Sequence, residues 1–258
     1  MTFISTVGIH YAGAETSGSR LKALTVYRTD DHGKPEKLIT TDAYPFGPQN
    51  WSRKSIAEWL IEQTTAAPVL VGIGHCFSLP KVWFDLQTLP DWSEMLRHFP
   101  LWWPTHKNIY IDSLWEKDTA PPPGGRPEQL RITETRMSGA RGIFRFAGHG
   151  AMGQISWAGI PWLAYIREKV GDKVHFWPFD GWTPPEDKSV IAEVSPFMFS
   201  RQYPKEGRTP QEHDAFSVAC WLSDMNSSDR LEAYFHPHLT NEERRTAETT
   251  EGWVLGVM

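Results

Sequence analysis

Cysteine is nearly absent: Cys76 and Cys220 are the only two in 258 residues. Both stand among apolar neighbours and are too few for a disulfide framework, so the expectation is reduced thiols in a cytoplasmic protein. Long hydrophobic runs are also missing, and no stretch approaches the ~20 apolar residues of a membrane-crossing helix. Met1 to Val7 carry neither a basic start nor a long apolar core, so they read as folded structure and not as a signal peptide. Basic charge is not in excess. The 26 Lys and Arg against 31 Asp and Glu leave a net charge of −5, which excludes a global basic field for nucleic acid and leaves room only for a local patch. No closely spaced His-x-x-x-His pair and no low-complexity tail is found.

What is present suffices for a full core. With 40% hydrophobic residues over this length, the chain reads as one domain, 1–258, carrying an irregular insertion at about 81–150. The 13 Trp are read as core and interface aromatics. The organising stretch is Pro68-Val-Leu-Val-Gly-Ile-Gly-His-Cys-Phe-Ser-Leu-Pro80. Its short β-branched run, bounded by Pro and Gly, predicts a strand buried on both faces. Thr6-Val-Gly-Ile-His-Tyr-Ala-Gly13 repeats the Val-Gly-Ile step, with His10 where the later strand has Gly74. Alternation puts Gly8 and His10 on one face of the first strand, and Gly72 and Gly74 on one face of the other. Glycines in central strands admit close approach of backbone, ligand or metal, and ligands of open α/β sheets bind at the carboxyl ends of their strands.

In chain order, strands are expected at 3–11, 21–28 and 37–41, a helix at 52–64, and the strand at 68–74. Asp91-Trp-Ser-Glu94 opens a helix by a capping box, broken at Pro100 to Pro104. A helical piece follows at about 108–116, then a Pro- and Gly-rich loop at 118–127 and a Gly-His-Gly turn at 148–150. A helix over 160–170 with Pro161 in its first turn, strands at 174–179 and 189–194, and a helix from Pro210 to about Met225 complete the main elements. Three meandering strands, a crossover helix and a strand beside the first is how the ribonuclease H-like mixed sheet begins, with order 3-2-1-4-5 and the first three strands antiparallel.

Asp214 falls on the stripe 214, 218, 221, 225 of the late helix, whose other members are Val218, Trp221 and Met225. An inward carboxylate there needs a partner or a metal. Glu193 is a lone acid ending the apolar strand Val190-Ile-Ala-Glu-Val, read either as functional or as the partner of a neighbouring helix. His10, His75 and His213 complete a set that could ligate a transition metal or supply a general base. Arg126, Arg131, Arg136, Arg141 and Arg145 are read as a solvated surface or, through Arg131, Arg136 and Arg141, as a local phosphate-binding edge.

Val7-Gly-Ile-His-Tyr-Ala-Gly-Ala14, Val71-Gly-Ile-Gly-His-Cys-Phe-Ser-Leu-Pro80, His175-Phe-Trp-Pro-Phe-Asp-Gly-Trp182, Ala192-Glu-Val-Ser-Pro196 and Gln211-Glu-His-Asp-Ala-Phe-Ser217 resemble an uncharacterised bacterial family grouped with predicted ribonuclease H-like nucleases. The resemblance runs from the first strand to Gly252-Trp-Val-Leu-Gly256. It implies acids at the ends of the first and fourth strands and on a late helix, holding two divalent ions (Mg²⁺ or Mn²⁺) for phosphodiester hydrolysis. Asp214 matches the late-helix acid, and Glu193 is an additional one. His10 and Gly74 stand where the resemblance implies carboxylates, and an imidazole does not bridge two hard ions as a carboxylate does. The expected function is a metal-dependent nuclease with a degenerate carboxylate set, its catalytic residues drawn from Asp214, Glu193, His10 and His75 and its metal ligands from Asp214, Glu193, His10 and His213. The alternative is a catalytically inactive ribonuclease H-like subunit that binds nucleic acid or a protein partner. An actin-like phosphotransferase ranks behind both, because the chain is short for two such domains.

Overall fold

The structure, a computed structural model, describes residues 3–29, 33–40, 50–115, 125–146 and 152–258. The Gly-His-Gly turn at 148–150 and most of the loop expected at 118–127 lie outside them.

Three strands open the chain, β1 (Ser5–His10), β2 (Thr25–Thr29) and β3 (Pro35–Leu38), each antiparallel to the next. Helix α1 (Arg53–Ala66) begins at Ser52, whose hydroxyl accepts from the Ser55 backbone N–H while Ser55 answers the Ser52 N–H. It returns the chain to β4 (Val69–Ile73), parallel to β1 with Gly8 beside Gly72. A helical stretch follows: α2 (Lys81–Gln87), α3 (Trp92–Trp102), α4 (Ile111–Trp115), α5 (Ile132–Thr135) and α6 (Gly153–Val170). Then come β5 (Val174–Trp177), β6 (Ser189–Glu193), α7 (Pro210–Ser227), α8 (Leu231–Phe235) and α9 (Asn241–Thr246). A π-helical turn, Ala247–Glu251, leads into the closing segment.

The six strands form one mixed sheet in the order β3-β2-β1-β4-β6-β5. The expected order 3-2-1-4-5 is corrected by this. Its first four places hold, but β5 goes to the edge and β6 takes the place beside β4. Both are short apolar runs, and periodicity does not tell which of two such runs lies inside. Pairing does: β6 bonds to β4 on one side and to β5 on the other, while β5 pairs with β6 alone among the described residues.

One face of the sheet, with Val7, Ile9, Val71, Ile73, Phe176 and Ile191, packs under α1, α3 and α6. The other, with Leu70, Val190 and Ala192, packs against Val218, Trp221 and Leu222 of α7. Alternation along the strands splits these two cores. Helix α7 lies against β1 at Gly8, where an added Cβ would stand 2.1 Å from the Ala215 carbonyl oxygen and 2.7 Å from the Ala219 nitrogen. At Gly72 the same construction meets Val218 Cγ1 at 2.8 Å and Val194 Cγ1 at 2.9 Å. The two glycines are thus the bed of α7: helix backbone approaches Gly8, and side chains close over Gly72.

Helix α6 begins seven residues before the expected start at 160, so Pro161 lies in its interior. Pro161 has no N–H for the Trp157 carbonyl one turn back. The buried Thr105 hydroxyl supplies a donor, 3.0 Å from the Ala158 carbonyl and 3.5 Å from that of Trp157. Helix α3 likewise runs through Pro100 to Trp102.

Candidate functional site at the strand tips

His10 is the last residue of β1 and shares the α7-facing side with Gly8. Helix α7 starts at Thr209, whose hydroxyl accepts from the Glu212 N–H, with Pro210 in the first turn. That start places Asp214 one turn in, just before Ala215, the residue seated on Gly8. His10 Nδ1 and Asp214 Oδ2 are therefore 3.1 Å apart, with side chains 22% and 31% exposed. A carboxylate accepting from Nδ1–H fixes the ring and leaves Nε2 as a lone-pair base. The pair is partly open to solvent, as a group that exchanges protons with a substrate must be.

Neighbouring backbone holds this tip in place. The Gly74 N–H donates to the Ile9 carbonyl (2.9 Å), and an added Cβ at Gly74 would lie 3.3 Å from Pro196 Cγ. The loop after β1 is gripped by buried Arg53, which donates to the carbonyls of Ala14 (2.5 Å) and Glu15 (3.3 Å).

The other sequence candidates go elsewhere. Glu193 is not at an open site: its Oε1 accepts from Arg131 Nη2 (2.5 Å), and its Oε2 accepts from Arg131 Nη1 and the Phe77 N–H (both 2.8 Å). The carboxylate expected as catalytic acid or metal ligand is engaged in a buried ion pair. Arg131 is 0% exposed and donates further to Glu134 Oε1 (3.0 Å) and the Glu251 carbonyl (3.1 Å). It is no phosphate-binding edge. Burial disfavours its charge, but Glu193 and Glu134 outweigh that and hold the guanidinium firmly protonated. Glu251 accepts from the backbone N–H groups of Lys81 and Ile132 (both 2.6 Å), and burial raises its carboxyl above the usual range. Three elements distant in sequence, α5, the end of β6 and the turn before the C-terminal segment, are fastened at this point.

His75 is buried, with Nδ1 2.9 Å from the Cys76 carbonyl and the ring in edge contact with Tyr11 at 4.6 Å. Burial pushes it down to about 4, so it is a neutral core imidazole with no part in the open site. His213 sits next to Asp214 in sequence, but successive helical residues point about 100° apart. Its Nε2 is 2.7 Å from the Ser200 carbonyl, which makes it an anchor for the segment after β6. Arg136 pairs with Glu243 (2.7 Å) and lies over the Trp253 ring, while Arg141 is exposed.

The residues at the strand tips do not match two hard ions held by bridging carboxylates. Gly74 brings no side chain, Glu193 is taken up by Arg131, and Asp214 is engaged by an imidazole. Among the described residues no helix is long and apolar enough to cross a membrane. Comparison with protein-family models, with curated proteins and with solved structures gives no match.

Sequence reasoning passed over the segment between β6 and α7. Pro196–Met198 and Ser200–Gln202 are single 3-10 turns that border the site, and on them Phe197 and Arg201 stand exposed. The signal was there: Pro196-Phe-Met-Phe sets two aromatics directly after a buried strand.

Proposed function

We propose that this chain is a ribonuclease H-like phosphodiester hydrolase in which the Asp214-oriented imidazole of His10 acts as general base. The 3.1 Å contact between His10 and Asp214 at the carboxyl end of β1 carries the reading. The run β3-β2-β1-β4, with a late helix laid across β1 and β2, supports the lineage that the sequence resemblance implies. In the step, Nε2 of His10 takes a proton from water and the water oxygen bonds to phosphorus. The bond from phosphorus to the leaving oxygen then breaks, and the imidazolium returns its proton to that oxygen. Asp214 holds the tautomer and balances the transient positive charge, as orienting carboxylates do for catalytic histidines.

The test is cleavage of labelled single- and double-stranded oligonucleotides by the full chain, with Mg²⁺, with Mn²⁺ and with chelator. His10→Gln should lower turnover by about 10²–10⁴-fold, the usual worth of a positioned base, and Asp214→Asn should lower it with KM little changed. Cleavage that survives His10→Gln intact overturns the reading. A second reading, an inactive subunit that binds without hydrolysing, is favoured by His10 and Gly74 standing where the resemblance implies two carboxylates. It is accepted if the unmodified chain binds oligonucleotide and cleaves none under any of the three conditions.

A further inference from the structure

We infer that the segment Pro196–Arg201 is a single-strand docking lip beside the His10–Asp214 pair, with Phe197 stacking an unpaired nucleobase and Arg201 meeting the adjoining phosphate. This rests on the hydrolase reading for its substrate class and adds the residues and the strandedness.

The lip is pinned at three points. Pro196 packs against Gly74, whose N–H is bonded to the residue preceding His10. Phe199 is buried and stacked on Trp221 of α7, with ring centroids 4.1 Å apart and planes 16° apart. The Ser200 carbonyl is held by His213, the residue before Asp214. One flank of the lip therefore touches the residue before Asp214, and the other reaches the residue before His10 through Gly74.

Against that fixed backbone Phe197 is 63% exposed. A large ring left in water beside the strand tips gains nothing for folding by being there. One of its faces is covered by the Arg201 guanidinium, 5.5 Å from the centroid, which leaves the other for a planar ligand. Arg201 is itself exposed, and among the described residues it has no carboxylate partner. Its charge is available in a chain whose net charge is −5. An aromatic face joined to an unneutralised guanidinium is how sequence-tolerant single-strand sites combine stacking with phosphate attraction. A duplex keeps its base faces against one another, so the free face of Phe197 selects unpaired bases.

The test uses the full chain and a fluorescein-labelled deoxythymidine decamer in chelator, read by fluorescence anisotropy at several salt concentrations. Phe197→Ala should weaken binding by about tenfold, and Phe197→Trp should retain it. Arg201→Ala should reduce the slope of log K against log salt by about 0.7, the signature of one lost single-strand phosphate contact. Unchanged affinity in both alanine variants overturns the lip, as does loss of affinity on Arg136→Ala or Arg141→Ala with Phe197→Ala silent. Circular dichroism and melting curves accompany each variant; since both side chains are exposed, folding is expected to be intact. The two proposals fail separately. A lip that binds while His10→Gln still cleaves sinks the hydrolase reading alone, and His10-dependent cleavage that ignores Phe197 and Arg201 sinks the lip alone.

Discussion

Arg131 meets Glu193 through two parallel hydrogen bonds of 2.5 Å and 2.8 Å, and both side chains are buried. The pair joins a helix of the large insertion to the end of an interior strand, within hydrogen-bonding reach of the C-terminal turn. Removing one member of such a pair strands the other charge without water. Arg131→Ala, which leaves the buried carboxylates of Glu193 and Glu134 unmatched, should cost about 3–5 kcal/mol of stability. Urea unfolding followed by tryptophan fluorescence reads this as a lower midpoint, and a midpoint within experimental scatter of the parent would show that the pair contributes nothing.

The bed of α7 gives an ordering of two small substitutions. Gly8→Ala drives a methyl group into the Ala215 carbonyl and the Ala219 nitrogen, which move only with the helix. Gly72→Ala meets the ends of the Val218, Val194 and Leu222 side chains, which can turn aside. Overpacking of this kind costs about 1–3 kcal/mol, so Gly8→Ala should lie at or above the top of that range and Gly72→Ala near the bottom. Gly8→Ala should also disrupt the His10–Asp214 contact and lower any cleavage activity. Thermal melts of the two variants decide the order.

His75 makes folding sensitive to acid. It stays neutral in the folded chain down to about pH 4 because burial opposes its charge, whereas an exposed histidine protonates near 6.5. Between those values the unfolded chain binds the additional proton. The stabilisation is therefore complete above pH 6.5 and is lost progressively as pH falls toward 4, by about 3 kcal/mol for this group. His75→Phe should flatten the dependence over that window while lowering stability at pH 7.5, since the Cys76 carbonyl loses its donor. Burial also holds His106 and His175 low, so a smaller slope remains. Denaturation midpoints at pH 7.5, 5.5 and 4.5 measure it.

Thr105 and Pro161 should be coupled. Thr105→Val takes the hydroxyl from the Ala158 and Trp157 carbonyls, with an expected loss of about 1–3 kcal/mol because the Trp157 acceptor is left unpaired. Adding Pro161→Ala restores a backbone N–H to the same turn, so the double variant should be more stable than the two separate losses predict. A double-mutant cycle with a coupling near zero would reject the arrangement.

The fold was legible where one periodicity ruled. Three short strands, a capped helix at Ser52 and a continuous apolar run at Val69 allow few arrangements, and β3-β2-β1-β4 followed. The helical stripe turned Asp214 toward the sheet, and the resemblance implied that it would meet the tip of the first strand, where it contacts His10. What could not be read was decided by contacts between distant residues. Glu193 looks the same in sequence whether it faces a crevice or Arg131, which lies 62 residues away. His213 and Asp214 are adjacent letters, yet the helix turns them to different partners. Pro161 signalled a helix start because sequence does not reveal that Thr105 would serve its orphaned carbonyl.

The placing of β6 between β4 and β5 bears on how the chain is made. The ribosome releases Val174–Trp177 before Ser189–Glu193, yet the later segment must separate the earlier one from β4. A nascent polypeptide ending before residue 189 carries β4 with one naked edge and β5 without its proper neighbour. Such edges invite wrong pairing. The sheet therefore closes only when β6 threads into the gap, and Glu193, arriving on that strand, brings the negative charge that Arg131 has been waiting for since it was synthesised.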